Sequence, residues 1–213
     1  KIMENDTPNK IKISKEIIAT LPIETFPGKI VVIDNEKDAD NAVLQLNNER
    51  IIGFDTETRP TFKKGKSNHV ALIQLSTHDT CYLFRINRIG FTPAIKNLLE
   101  NESLLKVGIS LKDDFCMLSR LNGGQFIPRN FIELQKFVKK YNIEDQSLQK
   151  IYGIVIGKKI SKGQRLSNWE ADHLTENQQL YAATDAWSCI KIYEVLKSGK
   201  FKSPIYKIQP SSL

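Results

Sequence analysis

The sequence predicts a single α/β domain, on two observations. Short apolar runs rich in β-branched and aromatic residues dominate the first half of the chain, as strands do, at 29–34, 51–58, 69–77, 79–86 and 104–110. Helical periodicity prevails from residue 111 onwards. Within 213 residues, strands followed by helices fit one domain with a sizeable core. We expect a lead-in segment over 1–28, the folded domain over 29–200 and a C-terminal tail over 201–213.

The helices are predicted from apolar spacing and from end signals. An early helix over 36–49 has apolar residues at helical spacing, and a second begins at Thr92, a candidate N-cap before Pro93. Three more are expected over 111–121, 131–141 and 147–153. The longest runs from Thr175 to Gly199, where Gln178 completes a capping box.

Composition favours a polyanionic partner. The formal net charge is +7 and the pI is about 9.2. Basic residues concentrate in two stretches: Lys63, Lys64 and Lys66, then Lys158, Lys159, Lys162 and Arg165. A solvated loop explains either stretch equally well.

Composition also argues against several classes of protein. No apolar run approaches the roughly 20 residues of a membrane span, and the first residues have no signal-peptide character, so we expect no membrane partner. The three cysteines are far apart, and the three histidines lack ligand spacing. We therefore expect reduced thiols, no zinc site and an intracellular protein, cytoplasmic if bacterial.

The stretch "IIGFDTET" carries an apolar strand directly into two acids, Asp55 and Glu57. Alternate residues of a strand share a face, so both carboxylates point the same way. They repel each other unless a cation neutralises them or one is protonated. A solvated strand end is the alternative interpretation.

Two further segments place acids beside predicted elements. Asp113 or Asp114 falls in the first turn of the helix over 111–121, where the macrodipole alone favours an acid. Tyr181 and Asp185 are four residues apart on the long helix and are therefore neighbours on its surface.

Together these segments predict a metal site built from Asp55, Glu57, Asp114 and Asp185, since an α/β sheet can bring them to one edge. Hard oxygen ligands select Mg²⁺ or Mn²⁺. Two such ions about 3.5–4 Å apart are the usual apparatus for displacement at phosphorus. The basic loops would then contact phosphates.

These motifs resemble those of the DEDD 3′–5′ exonucleases, which have a ribonuclease-H-like fold of a mixed β-sheet flanked by α-helices. The first motif is Asp55-Thr56-Glu57, the second runs from Gly108 to Asp114, and the third is Tyr181 to Asp185. The second motif selects Asp114 over Asp113. Tyrosine in the third indicates the DEDDy branch, which includes ribonuclease D and the exonuclease domain of the Werner syndrome helicase. The segments around residues 65–77 and 165–186 are most similar to the latter.

The resemblance implies a role for each motif residue. The four acids would hold two Mg²⁺ or Mn²⁺ ions, and Tyr181 would orient the attacking water. The implied reaction releases nucleoside 5′-monophosphates from a 3′ end. The implied substrate contacts are Thr56 and Thr58 to the terminal 3′-hydroxyl, Lys162 and Arg165 to a phosphate, and Trp169 stacking on a base, although Trp169 fits a core role equally well.

Three functions remain open at this point. The similarity to the Werner-type domain favours DNA as the substrate. An RNA-trimming enzyme of ribonuclease D type is the nearest alternative. A non-catalytic nucleic-acid-binding module is less favoured, because all four acids and the tyrosine are present.

Overall fold

A mixed six-stranded sheet forms the centre of the protein, as predicted. The computed structural model describes residues 10–59 and 69–202, and the statements below concern these residues. The strands lie in the order β1-β4-β3-β2-β5-β6. Their bounds are β1 Lys29–Ile33, β2 Ile51–Thr58, β3 Val70–Ser76, β4 Thr80–Phe84, β5 Leu105–Gly108 and β6 Phe131–Glu133. β3 is antiparallel to β2 and β4, whereas the other neighbours are parallel.

Eight α-helices are present in the described residues. They are α1 Lys15–Thr20, α2 Glu36–Leu46, α3 Ile86–Ile89, α4 Pro93–Glu100, α5 Leu111–Leu121, α6 Leu134–Phe137, α7 Leu148–Ile156 and α8 Glu176–Lys197. The predicted caps of α8 are confirmed. Thr175 and Gln178 form the capping box, and Gly199 has a φ of +69° just after the helix. No described helix combines the length and the hydropathy needed to cross a bilayer.

The helices form a layer on each face of the sheet. The layer of α2, α4 and α5 packs around Phe54 and Leu75. The layer of α7 and α8 packs on the other face, together with the chain that precedes β1. Ile13, Ile18 and Phe26 from that early chain are buried in this second core, so residues 10–28 contribute to the packing around α8.

Gly53 determines how closely α8 approaches β2. A Cβ atom at this position would lie 1.9 Å from the backbone oxygen of Ala186. Only glycine permits this approach, since real Cβ contacts begin near 3.0 Å. The close packing places Asp185, the α8 residue that precedes Ala186, above the strand that carries Asp55.

The prediction of a helix over 131–141 is wrong at its start. Residues Phe131–Glu133 form β6, which pairs with β5 in parallel, and α6 and a 3₁₀-helix follow. Pairing with the edge of the sheet overrides the local helical pattern. The short helices α1 and α3 were not predicted. The three cysteines are all free, as expected.

Candidate active site

Three of the four predicted acids meet at the end of β2. Asp55 and Glu57 project from the same face of the strand, and Asp185 reaches them from α8. One carboxylate oxygen from each residue lies within 4.8 Å of the other two. We call these three residues the acid cluster.

Burial raises the pKa of every carboxyl in the acid cluster, and repulsion by neighbouring carboxylates raises the pKa of Asp55 and Glu57 further. Burial is the main cause in each case. The pKa of Asp55 lies well above its ordinary value, also because Asp185 and Asp114 are near. The pKa of Glu57 is raised to about 10 and that of Asp185 to about 7. Without a cation the acid cluster therefore retains protons at neutral pH. Its all-oxygen donor set fits Mg²⁺ or Mn²⁺ rather than a softer metal.

Asp114 lies beside the acid cluster. Its Oδ1 accepts a hydrogen bond from the Thr56 hydroxyl at 2.5 Å. Burial raises its pKa to about 6, although the bond from Thr56 lowers it. The negative charge of Asp114 also raises the pKa of both Asp55 and Glu57, which places it within electrostatic range. Thr56 donates its hydroxyl proton to Asp114, and its expected contact with substrate stays a prediction.

Glu133 positions the start of α5, and sequence reasoning missed it. Its carboxylate accepts hydrogen bonds from the backbone N–H groups of Ser110 and Leu111 at 3.1 and 2.8 Å. Ser110, with a φ of +59°, makes no side-chain cap of its own. Glu133 therefore supplies the cap that fixes the helix carrying Asp114. Glu133 is the last residue of β6, a strand that local sequence patterns did not predict.

Tyr181 is held in its neutral form. Burial raises the pKa of its phenol, and the charges of Asp185 and Glu57 raise it further. The hydroxyl is also hydrogen-bonded to Asp185, whose own pKa this bond lowers. A neutral phenol beside a carboxylate serves as a hydrogen-bond donor and not as a base.

Trp169 lies in the core, which contradicts the expected stacking on a base. Its side chain is fully buried, at 0 % exposure. Its ring packs on Tyr181, with ring centroids 6.0 Å apart and an angle of 35°. A ring without an exposed face cannot stack on a base in this conformation. Trp169 instead supports the ring of Tyr181.

Several polar contacts hold the chain around Trp169, and their partners also escaped sequence reasoning. Gln178 donates to the Ser167 hydroxyl and to the Asn168 carbonyl, at 3.1 and 3.2 Å. The buried Arg85 donates to the carbonyls of Ala171 and Asp172. A buried arginine that bonds only main-chain carbonyls leaves no pattern in the sequence, because its partners can be any residue.

The loop over 161–166 brings positive charge to the acid cluster. Lys162 lowers the pKa of Asp185 and Arg165 lowers that of Glu57. Both basic side chains belong to exposed residues, so they are accessible to a phosphate. Thr58 is half-buried after a β-bulge between Glu57 and Thr58.

The other two basic residues of the second predicted stretch, Lys158 and Lys159, contact the early chain. Lys158 pairs with Glu24 at 2.7 Å, and Lys159 donates to the Ala19 carbonyl, so both hold the early chain in place. The predicted basic stretch of Lys63, Lys64 and Lys66 lies outside the described residues.

Comparisons with known sequences agree with the geometry. A sequence model of the family described as 3′–5′ exonuclease matches residues 30–199. The bifunctional 3′–5′ exonuclease/ATP-dependent helicase WRN of Mus musculus is 34 % identical over 208 residues, covering 89 % of this chain and 14 % of that protein. The exonuclease mut-7 homolog of Aedes aegypti is 28 % identical over 187 residues, covering 76 % and 26 %. The chain therefore spans a minor part of the length of both relatives.

Solved structures have the same fold. The Aedes aegypti Nibbler EXO domain has a TM-score of 0.74 at 23 % identity, covering 82 % of this chain and 91 % of that one. Escherichia coli RNase D has a TM-score of 0.72 at 20 % identity, covering 81 % and 45 %. These likenesses confirm the ribonuclease-H-like fold. Because the family model matches most of the chain, the protein belongs to the 3′–5′ exonuclease family, in the DEDDy type that its motifs predicted.

Proposed function

We propose that this chain uses two Mg²⁺ or Mn²⁺ ions to hydrolyse the 3′-terminal phosphodiester of DNA and release nucleoside 5′-monophosphates. The observation that carries the proposal is the acid cluster, with three carboxylate oxygens within 4.8 Å of one another. Buried carboxylates clustered this closely are costly unless they stay protonated or a cation compensates their charge. Bound divalent cations would neutralise these carboxylates and so offset the cost of burying them.

The four motif acids each have a place in the proposed site. Asp55, Glu57 and Asp185 would be direct ligands, and Asp114 would complete the set from α5. When bound, the ions supply charge compensation and lower the pKa of a water molecule.

The remaining site residues would bind and orient the reactants. The neutral Tyr181 would hold the attacking water by a hydrogen bond, with its ring fixed by Trp169. Lys162 and Arg165, already close enough to shift the carboxyl pKa values, would bind the phosphate. Thr58 remains the candidate contact for the terminal 3′-hydroxyl.

DNA is proposed because the relative with 34 % identity is the WRN protein, whose exonuclease segment the motifs most resemble. The RNase D structure is 20 % identical to this chain and supports the fold alone. RNA is therefore the comparison substrate in the test.

An end-labelled nuclease assay tests the proposal. We expect the chain to release mononucleotides from 3′-recessed DNA in Mg²⁺ or Mn²⁺, faster than from RNA of the same sequence, and to stop in EDTA. Asp55→Ala and Asp185→Ala are expected to lower the rate by at least about 10³-fold, since ligand loss removes transition-state stabilisation. Both should still bind the oligonucleotide.

The control is Asp40→Ala, which removes an exposed acid from α2 and should leave the rate unchanged. Faster release from RNA would overturn the choice of DNA. No mononucleotide release from either polymer, in either metal, would overturn the proposed activity.

A further inference from the structure

A pocket beside Tyr181 has no part in the proposed metal and phosphate contacts. It has a volume of about 250 Å³ and lies between the early chain, the loop over 161–166 and α8. This is just below the range of about 300–1,000 Å³ typical of pockets for drug-sized ligands. The pocket therefore suits one flat ring system rather than a longer piece of a substrate.

The chemistry of the pocket differs from that of its surroundings. The protein has a formal net charge of +7, yet the residues that line this pocket are all uncharged. Besides the hydroxyls of Tyr181 and Thr184, four of them offer hydrogen-bonding side chains: Thr25, Ser161, Gln164 and Asn177. Amide side chains both donate and accept, as does the edge of every nucleobase.

Among the described residues, three of these polar side chains are free to bind a ligand: Thr25, Gln164 and Asn177. The Gln164 backbone carbonyl accepts from Ser167, but no hydrogen bond between described residues uses the side-chain amide of Gln164 or that of Asn177. The wall of the pocket is nevertheless fixed. The Thr184 hydroxyl donates to the Leu180 carbonyl at 2.6 Å and accepts from the Phe26 N–H at 3.0 Å.

Tyr181 connects the pocket to the acid cluster. Asn177, Tyr181 and Thr184 lie along one face of α8, and all three line the pocket. Asp185, one turn beyond Tyr181, belongs to the acid cluster and bonds the phenol. Only the side chain of Tyr181 therefore separates a group in the pocket from the proposed site of cleavage.

The charges nearby indicate what that group is attached to. Lys162 lies between Ser161 and Gln164 in sequence and acts on Asp185 electrostatically. A phosphate at Lys162 and an uncharged, hydrogen-bonding ring in the pocket together fit a nucleoside whose 3′-oxygen carries the phosphate that is cleaved. Thr58, the candidate contact for the terminal 3′-hydroxyl, is instead on β2, next to Glu57.

We propose that this pocket binds the base of the nucleotide on the 5′ side of the cleaved bond, through the side-chain amides of Gln164 and Asn177. The proposal rests on the proposed function, and it assigns this pocket to the penultimate base and not to the terminal one. All four natural bases present suitable donors and acceptors, so we expect the pocket to bind any of them and to lose this binding only when the base is missing.

The test uses DNA oligonucleotides that carry a tetrahydrofuran abasic residue at the penultimate position, at the terminal position or nowhere. For the wild type, we expect the penultimate abasic residue to lower kcat/KM for the first cleavage by about tenfold, as expected for two lost hydrogen bonds. For the double variant Gln164→Ala/Asn177→Ala, intact DNA should lose a similar factor, and the penultimate abasic penalty should fall below about twofold. Gln45→Ala, an exposed glutamine of α2, is the matched control and should retain the full penalty.

The same oligonucleotides are compared for binding by fluorescence anisotropy in EDTA, and thermal unfolding verifies that the double variant folds. The proposal is wrong if the penultimate abasic residue still lowers kcat/KM of the double variant. It is also wrong if the double variant loses the effect of the terminal abasic residue instead. If nothing is hydrolysed, the proposed function fails, and the anisotropy series still decides whether the pocket recognises a base. If a penultimate abasic residue changes neither the rate of hydrolysis nor the affinity, the base-binding role of the pocket is wrong and the proposed function stands.

Discussion

Replacing Gly53 with alanine tests whether the packing of α8 on β2 positions the acid cluster. The added Cβ would lie 1.9 Å from the Ala186 backbone oxygen and 2.7 Å from its carbonyl carbon. Ordinary contact begins at 3.4 Å, so the backbone of α8 must move away by about 1.5 Å. A main-chain oxygen in the middle of a helix cannot rotate aside as the end of a side chain can.

The displacement should affect stability and activity together. Overpacking a core costs about 1–3 kcal/mol, and we expect the upper end of this range for the free energy of unfolding. Asp185 precedes Ala186, so the same movement takes its carboxylate away from Asp55 and Glu57. A misplacement of about 1 Å can reduce a rate by about 10²-fold, which is the loss expected in kcat.

Urea denaturation and the end-labelled nuclease assay measure the two effects. Gly153→Ala is the matched control, because Gly153 lies within α7 and its added Cβ would be 3.3 Å from a flexible methyl of Leu21. We expect the control to stay within about 1 kcal/mol of wild type and to keep its activity. If Gly53→Ala unfolds at the wild-type urea concentration and hydrolyses substrate at the wild-type rate, close packing of α8 does not position the acids.

The other predictions concern single contacts of the site. In EDTA, the carboxyls of the acid cluster should hold more protons in the folded state than in the unfolded chain. This difference should extend from about pH 4 up to their raised pKa values, about 7 for Asp185 and about 10 for Glu57. The free energy of unfolding should then fall as pH rises through this window, and Glu57→Gln should make the fall shallower in thermal unfolding followed against pH. Thr56→Val removes the hydrogen bond that lowers the pKa of Asp114, so the acidic limb of the pH–rate profile should move to higher pH; an unmoved limb would show that the bond is unimportant. Trp169→Ala should cost about 3–5 kcal/mol in urea denaturation, as loss of a core aromatic does, whereas a purely substrate-stacking role predicts unchanged stability.

Local sequence signals were sufficient for much of the fold. The apolar run of β2, the N-cap and proline of α4 and the capping box of α8 are each encoded by residues within a few positions of one another. Local patterns failed at β6, because Phe131–Glu133 become a strand only by pairing with β5. They also missed α1, whose burial depends on the distant α7 and α8.

The sequence by itself determined which acids are available and on which elements they lie. Strand alternation put Asp55 and Glu57 on one face, and helix spacing put Tyr181 beside Asp185. Both relations are intrinsic to one element, so no knowledge of the fold was needed to state them.

Only the tertiary structure decided what these side chains contact. It brought Asp185 to the acid cluster through the close approach that Gly53 allows, and it gave the Thr56 hydroxyl to Asp114. It also buried Trp169 against Tyr181, where sequence had permitted an exposed ring. Burial and contacts between distant segments depend on how the layers pack, and the local chain carries no record of that packing.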